Sequence, residues 1–136
     1  FTQKSTPLEE LLKMADFVSL HCLLTDDTHH LINHDRLAMM KKTAILVNTS
    51  RGGVVDEPAL IRALQEGVIA GAALDVTEQE PPGADNPLRQ MANVILTSHI
   101  GAFDVDFEKN FWQASVRKIL ALGQGDVQTE SCGKNK

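Results

Sequence analysis

Ala44-Ile45-Leu46-Val47-Asn48-Thr49-Ser50-Arg51-Gly52-Gly53-Val54-Val55-Asp56 is the stretch whose reading decides the fold. Four apolar residues in succession predict a short strand buried on both faces. Small polar residues, an arginine and two glycines then turn the chain, and Asp56 is placed to cap a helix. An arginine at the carboxyl end of a buried strand sits where open α/β sheets bind ligands. Taken alone, the stretch fits an ordinary strand, turn and surface arginine equally well, so the flanking chain has to decide.

Upstream, Thr6-Pro7-Leu8-Glu9 offers a cap, a proline at the first helical position and a glutamate three residues after the cap. Leu8, Leu11, Leu12 and Ala15 form one apolar stripe, which predicts a helix to about Met14. Residues 17–22 are apolar enough for a strand, and 23–30 are polar and turn-rich. Asn33 is placed to cap a short helix carrying Leu37 and Met40, with Lys41 and Lys42 at its negative end. Downstream, the helix opened by Asp56 shows Leu60, Ile61 and Leu64 on one face and stops at Gly67. Residues 68–76 read as a strand whose glycine and alanines let a helix pack close. A proline-rich loop over 78–87 and a helical turn over 88–91 lead to a last strand over 94–98, ending at His99. Asp104 is placed to cap a final helix carrying Phe107, Phe111, Ala114, Ser115, Ile119 and Leu122 and closed by Gly123. Residues 124–136 read as a loose polar tail.

Short apolar strands alternating with helices predict an α/β fold, a parallel sheet with right-handed crossovers. The chain of 136 residues is 43% hydrophobic, enough for a real core. A net charge of −5 argues against a nucleic-acid partner. No apolar run reaches membrane-spanning length, so no membrane partner is expected. Two cysteines, Cys22 and Cys132, suggest no disulfide framework and fit a reducing, cytoplasmic setting. The chain opens at Phe1 rather than methionine, which suggests that upstream sequence is missing.

Arg51, the segment 75–80 and His99 each follow the carboxyl end of a predicted strand, and parallel strands bring those ends to one edge. A cation, a carboxylate and an imidazole suit carbonyl reduction. The arginine grips a carboxylate in a fork, the histidine gives a proton to the developing alkoxide, and a nearby carboxylate favours the protonated ring. The hydride has to come from a cofactor. His30 and His34 have a helical metal-ligand spacing, but Asn33 caps between them and no third ligand is apparent, so no metal is expected.

The runs 47–56, 71–76, 80–81 and 97–101, together with 20–25 and 28–33, resemble the D-2-hydroxyacid dehydrogenases in order and spacing over residues 8–123. The resemblance implies the second half of a doubly wound, Rossmann-type domain with three αβα layers, NAD (or NADP) as cofactor, a small 2-keto or 2-hydroxy acid as substrate and a homodimer. It further implies that Arg51 binds substrate, that His99 is the acid/base and that Glu80 is its acidic partner, with Glu78 as a rival. Asp75 would hold the nicotinamide carboxamide. His21, Cys22, Thr49, Ser50, Arg51, His99 and Gly101 would contact the cofactor. Leu23, where the family usually has proline, and Ala102-Phe103-Asp104 depart from the pattern and leave the substrate open.

A dinucleotide-binding domain should carry G-x-G-x-x-G after its first strand. The chain has none; Gly123-Gln124-Gly125 begins one, but at a helix end. By resemblance the motif belongs upstream of Phe1, residues 1–123 are a partial NAD-binding domain, and the substrate domain is absent. A piece of a working enzyme is therefore expected, itself inactive. The alternatives are a corepressor-like, nucleotide-sensing binding module and an inert remnant.

Overall fold

Parallel strands cannot be joined by a tight turn, and each crossover here uses intervening chain to return to the same edge. The computed structural model describes residues 5–101 and 106–123. These fall into two units, 1–101 and 102–136. The first contains α1 (Leu8–Met14), β1 (Phe17–Leu20), α2 (His34–Met39), β2 (Ile45–Asn48), a 3-10 turn (Gly52–Val54), α3 (Glu57–Gln65), β3 (Gly71–Leu74), a second 3-10 turn (Pro87–Arg89) and β4 (Val94–Leu96). The second contains α4 (Phe107–Gly123), whose Phe107 and Phe111 rings stack at 5.7 Å. The expected cap Asp104 and the tail lie outside the described residues.

The four strands pair in the order β1-β2-β3-β4, all parallel, as the alternation of elements predicts. Crossovers of one hand between successive neighbours stack their helices on one face. The core has that arrangement: Val18, Leu20, Leu46, Ala72 and Leu74 cluster with Leu12, Leu37, Leu60 and Leu64, all buried. The opposite face carries Phe17, Val47, Ala73 and Ile95, of which Phe17 and Ile95 are about 70% exposed, at 70% and 69%. Two of the three layers expected thus lie within the first unit.

Asn33 and Asp56 cap α2 and α3, accepting from the Arg36 and Ala59 amides at 3.1 and 2.9 Å. Thr6 does not cap α1. Pro7 is the N-cap and no side chain bonds there. With the helix starting at Leu8, Glu9 comes one residue too early to close the reciprocal bond from the third helical position. The third strand is shorter than 68–76. Gly67, at φ +67°, lets the Val68 amide return to Ala63 O at 2.8 Å, which spends Val68 on the end of α3. The fourth strand also stops early, at Leu96 rather than Ser98, and the helical turn expected over 88–91 is the 3-10 turn at Pro87–Arg89.

Among the described residues β1 is an edge, paired with β2 alone. The Ile45 amide bonds to Asp16 O, so in an alternating parallel ladder the amides of Phe17 and Ser19 point outward. An unguarded edge of this kind is a template for another strand. We expect the 136-residue chain to self-associate through it, slowing hydrogen exchange at Phe17 and Ser19. Free exchange at both amides in a concentrated sample would show that the edge stays unpaired.

Candidate active site at the carboxyl edge of the sheet

β2 ends on Asn48, which is 1% exposed and organises the turn behind it. Asn48 Oδ1 accepts from the Ser50 amide and hydroxyl at 3.0 and 2.8 Å, and its Nδ2 donates to Arg51 O at 2.9 Å. The turn is thereby fixed while the Arg51 side chain stays exposed, its Nη1 donating to Ser50 O at 2.7 Å. Thr49, Ser50 and Arg51 line a cavity of about 200 Å³ together with His21, Cys22 and Leu23 from the end of β1. Sequence reasoning placed those neighbours but missed Asn48. A polar residue closing an apolar run is the signal that could have found it.

Asp75 follows directly on β3 and is 7% exposed. Its Oδ1 accepts from the Thr97 hydroxyl at 2.5 Å and the Ile100 amide at 2.9 Å, and its Oδ2 from the Gly101 amide at 2.7 Å. Burial pushes this carboxyl up, but the bonds from Thr97, Ile100 and Gly101 and the nearby His99 outweigh it, so the acid is held below its ordinary value. Asp75 therefore fastens the chain leaving β4. Two oxygens offer about four acceptor positions, of which these three donors take three.

Past β4 the backbone turns sharply, with His99 at φ +56° and its amide on Asp75 O at 2.8 Å. His99 Nδ1 lies 2.7 Å from Glu80 Oε2, and Glu80 Oε1 accepts from the Thr77 amide at 3.3 Å. The peptide before Pro81 is cis. Glu78 faces elsewhere, with its Oε1 2.8 Å from His30 Nε2. His34, the other half of the metal-like spacing, lies 3.1 Å from Asp35 instead. His99, Glu80 and Asp75 line a cavity of about 150 Å³ with Thr77, Thr97 and Ser98. The sequence-predicted residues thus form two groups on one edge: Asp75, Glu80 and His99 in one cavity, His21, Cys22, Thr49, Ser50 and Arg51 in the other. Gly101 lies against the first group through its bond to Asp75.

The strand exits, the buried acid and the imidazole–carboxylate pair lie at the carboxyl edge of a parallel sheet, where open α/β folds bind ligands. Residues 1–101 match the family described as D-isomer specific 2-hydroxyacid dehydrogenase, NAD binding domain. The chain belongs to this family. A glyoxylate reductase of Thermofilum pendens is 48% identical over 122 residues, 90% of this chain and 36% of that protein. A D-3-phosphoglycerate dehydrogenase of Methanocaldococcus jannaschii is 53% identical over 120 residues, 88% of this chain and 23% of that protein. Among solved structures, the NAD-complexed D-isomer specific 2-hydroxyacid dehydrogenase of Lactobacillus delbrueckii matches with a TM-score of 0.82 at 34% identity, over 91% of this chain and 41% of that one. The chain spans less than half of the length of each of these three proteins.

Proposed function

We propose that this chain is the catalytic-edge portion of an NAD-dependent 2-hydroxyacid dehydrogenase that reduces a 2-keto acid or oxidises a D-2-hydroxy acid. The observation that carries the reading is the 2.7 Å contact of His99 Nδ1 with Glu80 at the carboxyl edge of a parallel sheet. With Nδ1–H donated to Glu80, Nε2 is the ring atom that exchanges a proton with substrate oxygen. The carboxylate fixes the ring's orientation and tautomer. Arg51 supplies a planar fork for the substrate carboxylate.

The residues present suit the nicotinamide side of the cofactor. Asp75 Oδ2 is a carboxylate acceptor suited to a carboxamide N–H, and the separate cavity of His21, Cys22, Thr49, Ser50 and Arg51 on the same edge offers further polar groups. When bound, the cofactor supplies or takes the hydride. The 136 residues contain no G-x-G-x-x-G turn, so activity is proposed for a protein in which this segment works with such a turn and with a substrate domain. NAD is the cofactor proposed, with NADP the alternative, because residues that read the ribose follow the glycine turn. A homodimer and a cytoplasmic setting complete the proposal; among the described residues no helix is long and apolar enough to cross a membrane. The relatives' names, reductases and dehydrogenases, support an enzyme over a nucleotide-sensing module.

The test is Arg51→Lys in an enzyme that includes this segment. Lysine keeps the charge and loses the fork. One charge-assisted hydrogen bond, about 1.5–3 kcal/mol, corresponds to a fall in kcat/KM of roughly ten- to hundredfold. Keto-acid reduction at the unmutated rate would remove Arg51 from the site.

A further inference from the structure

The loop that carries Glu80 is held at both ends by one side chain of α3. Glu57 Oε2 accepts from the Glu78 amide at 2.8 Å, and Glu57 Oε1 accepts from Asn86 Nδ2 at 2.8 Å. Glu78 returns the contact, its Oε1 accepting from the Glu57 amide at 3.2 Å while His30 Nε2 lies 2.8 Å away. Just ahead of the first anchor the Thr77 hydroxyl donates to Gln79 O at 2.7 Å and the Thr77 amide to Glu80 Oε1 at 3.3 Å, so a shift at the adjacent Glu78 carries through to Glu80. Capping does not account for Glu57, because Asp56 already caps α3 through the Ala59 amide.

We propose that Glu57 is a positioning residue for the proton-transfer pair: it clamps both ends of the loop so that the Glu80 carboxylate stays on His99 Nδ1. The proposal rests on the reading of His99 as the acid/base, and it explains how an exposed carboxylate on a long loop keeps one address. Loss of the clamp frees the Glu78 end of the loop, and Glu80 leaves the imidazole. The neutral ring then reverts from the Nδ1–H tautomer that Glu80 selects to the Nε2–H form favoured by an imidazole in water.

The tautomer is read directly from the ring 15N shifts of His99 in the full 136-residue chain, above the pH at which the ring is neutral. The expected result is mainly Nδ1–H in the unmutated chain and mainly Nε2–H in Glu57→Ala and in Glu80→Ala. Glu57→Gln keeps an acceptor for the Glu78 amide but turns a donor toward Asn86 Nδ2, so it loses one end of the clamp, as Asn86→Ala does, and should shift only part of the way toward Nε2–H. Where Glu57→Ala loses its folded spectrum, Asn86→Ala tests the same clamp from the other end and should shift toward Nε2–H. An unmutated chain in the Nε2–H form, a Glu57→Ala or folded Asn86→Ala ring that stays Nδ1–H, or a Glu57→Gln ring that behaves like Glu57→Ala would each overturn the clamp. Because this readout needs no turnover, an enzyme that includes this segment and reduces no keto acid would count against the dehydrogenase reading and leave the clamp to the tautomer.

Discussion

Gly52→Ala is expected to cost about 3–5 kcal/mol, at the severe end for a single methyl. A Cβ at Gly52 would stand 2.0 Å from Thr77 O, 2.1 Å from Thr77 C and 2.5 Å from the Glu78 nitrogen. All three are backbone atoms, so no rotamer relieves the overlap, and either the arginine turn or the Glu80 loop has to move. The neighbouring glycine is the control. A Cβ at Gly53 meets the mobile end of Leu24 at 3.2 Å, and Gly53→Ala should stay within about 1 kcal/mol. Denaturant unfolding of the two variants decides the matter. Equal midpoints would mean that the two loops are not pressed together as described.

Asp75→Asn should lower stability by about 3 kcal/mol, or roughly 12–24 °C in melting temperature for a domain of this size. Asparagine can accept from Thr97 and Ile100 without the charge, but its amide nitrogen meets the Gly101 N–H as donor against donor. The acid is held below its ordinary value in the folded chain, so its contribution depends on pH. It is complete above the ordinary carboxylate pKa of about 3.9 and is lost as pH falls through the lower folded value. The melting difference between the two proteins should therefore be widest near neutrality and close on acidification. A difference that does not change with pH would mean that the ionised form is not what the three donors hold.

Much of this was readable from residue type because local chemistry agreed with the global fold. Asn33, Asp56 and Gly67 act where their side chains or backbone freedom allow, and the apolar runs around Val18, Leu46 and Ala72 found adjacent places in the sheet. The placement of Glu80 against His99, rather than Glu78, matched a motif; the reason for it did not show in the sequence. It depends on a carboxylate at the start of α3 accepting the Glu78 amide across the fold, and no local pattern announces such a bond. Thr97 went unnoticed for the same reason, since its partner Asp75 stands beyond another strand, whereas Asn48 bonds to the turn just after it and was marked only by its place at the close of an apolar run. The layer count needed the strand order. Consecutive neighbours put every crossover helix on one side, whereas a sheet that doubles back would have covered both.

That strand order also bears on how the chain acquires its shape. Each strand pairs with the one just before it in sequence, and each pairing closes over little more than a single helix or loop. Loop-closure entropy grows slowly with length, so no step waits on a distant segment. The sheet can zip from β1 toward β4 in the direction in which the chain is synthesised, adding one strand and its crossover at a time. His99 sits just beyond the last strand laid down, and Glu80 and Asp75 reach it only when β4 docks. A chain that zips in this direction assembles its proton-transfer pair last.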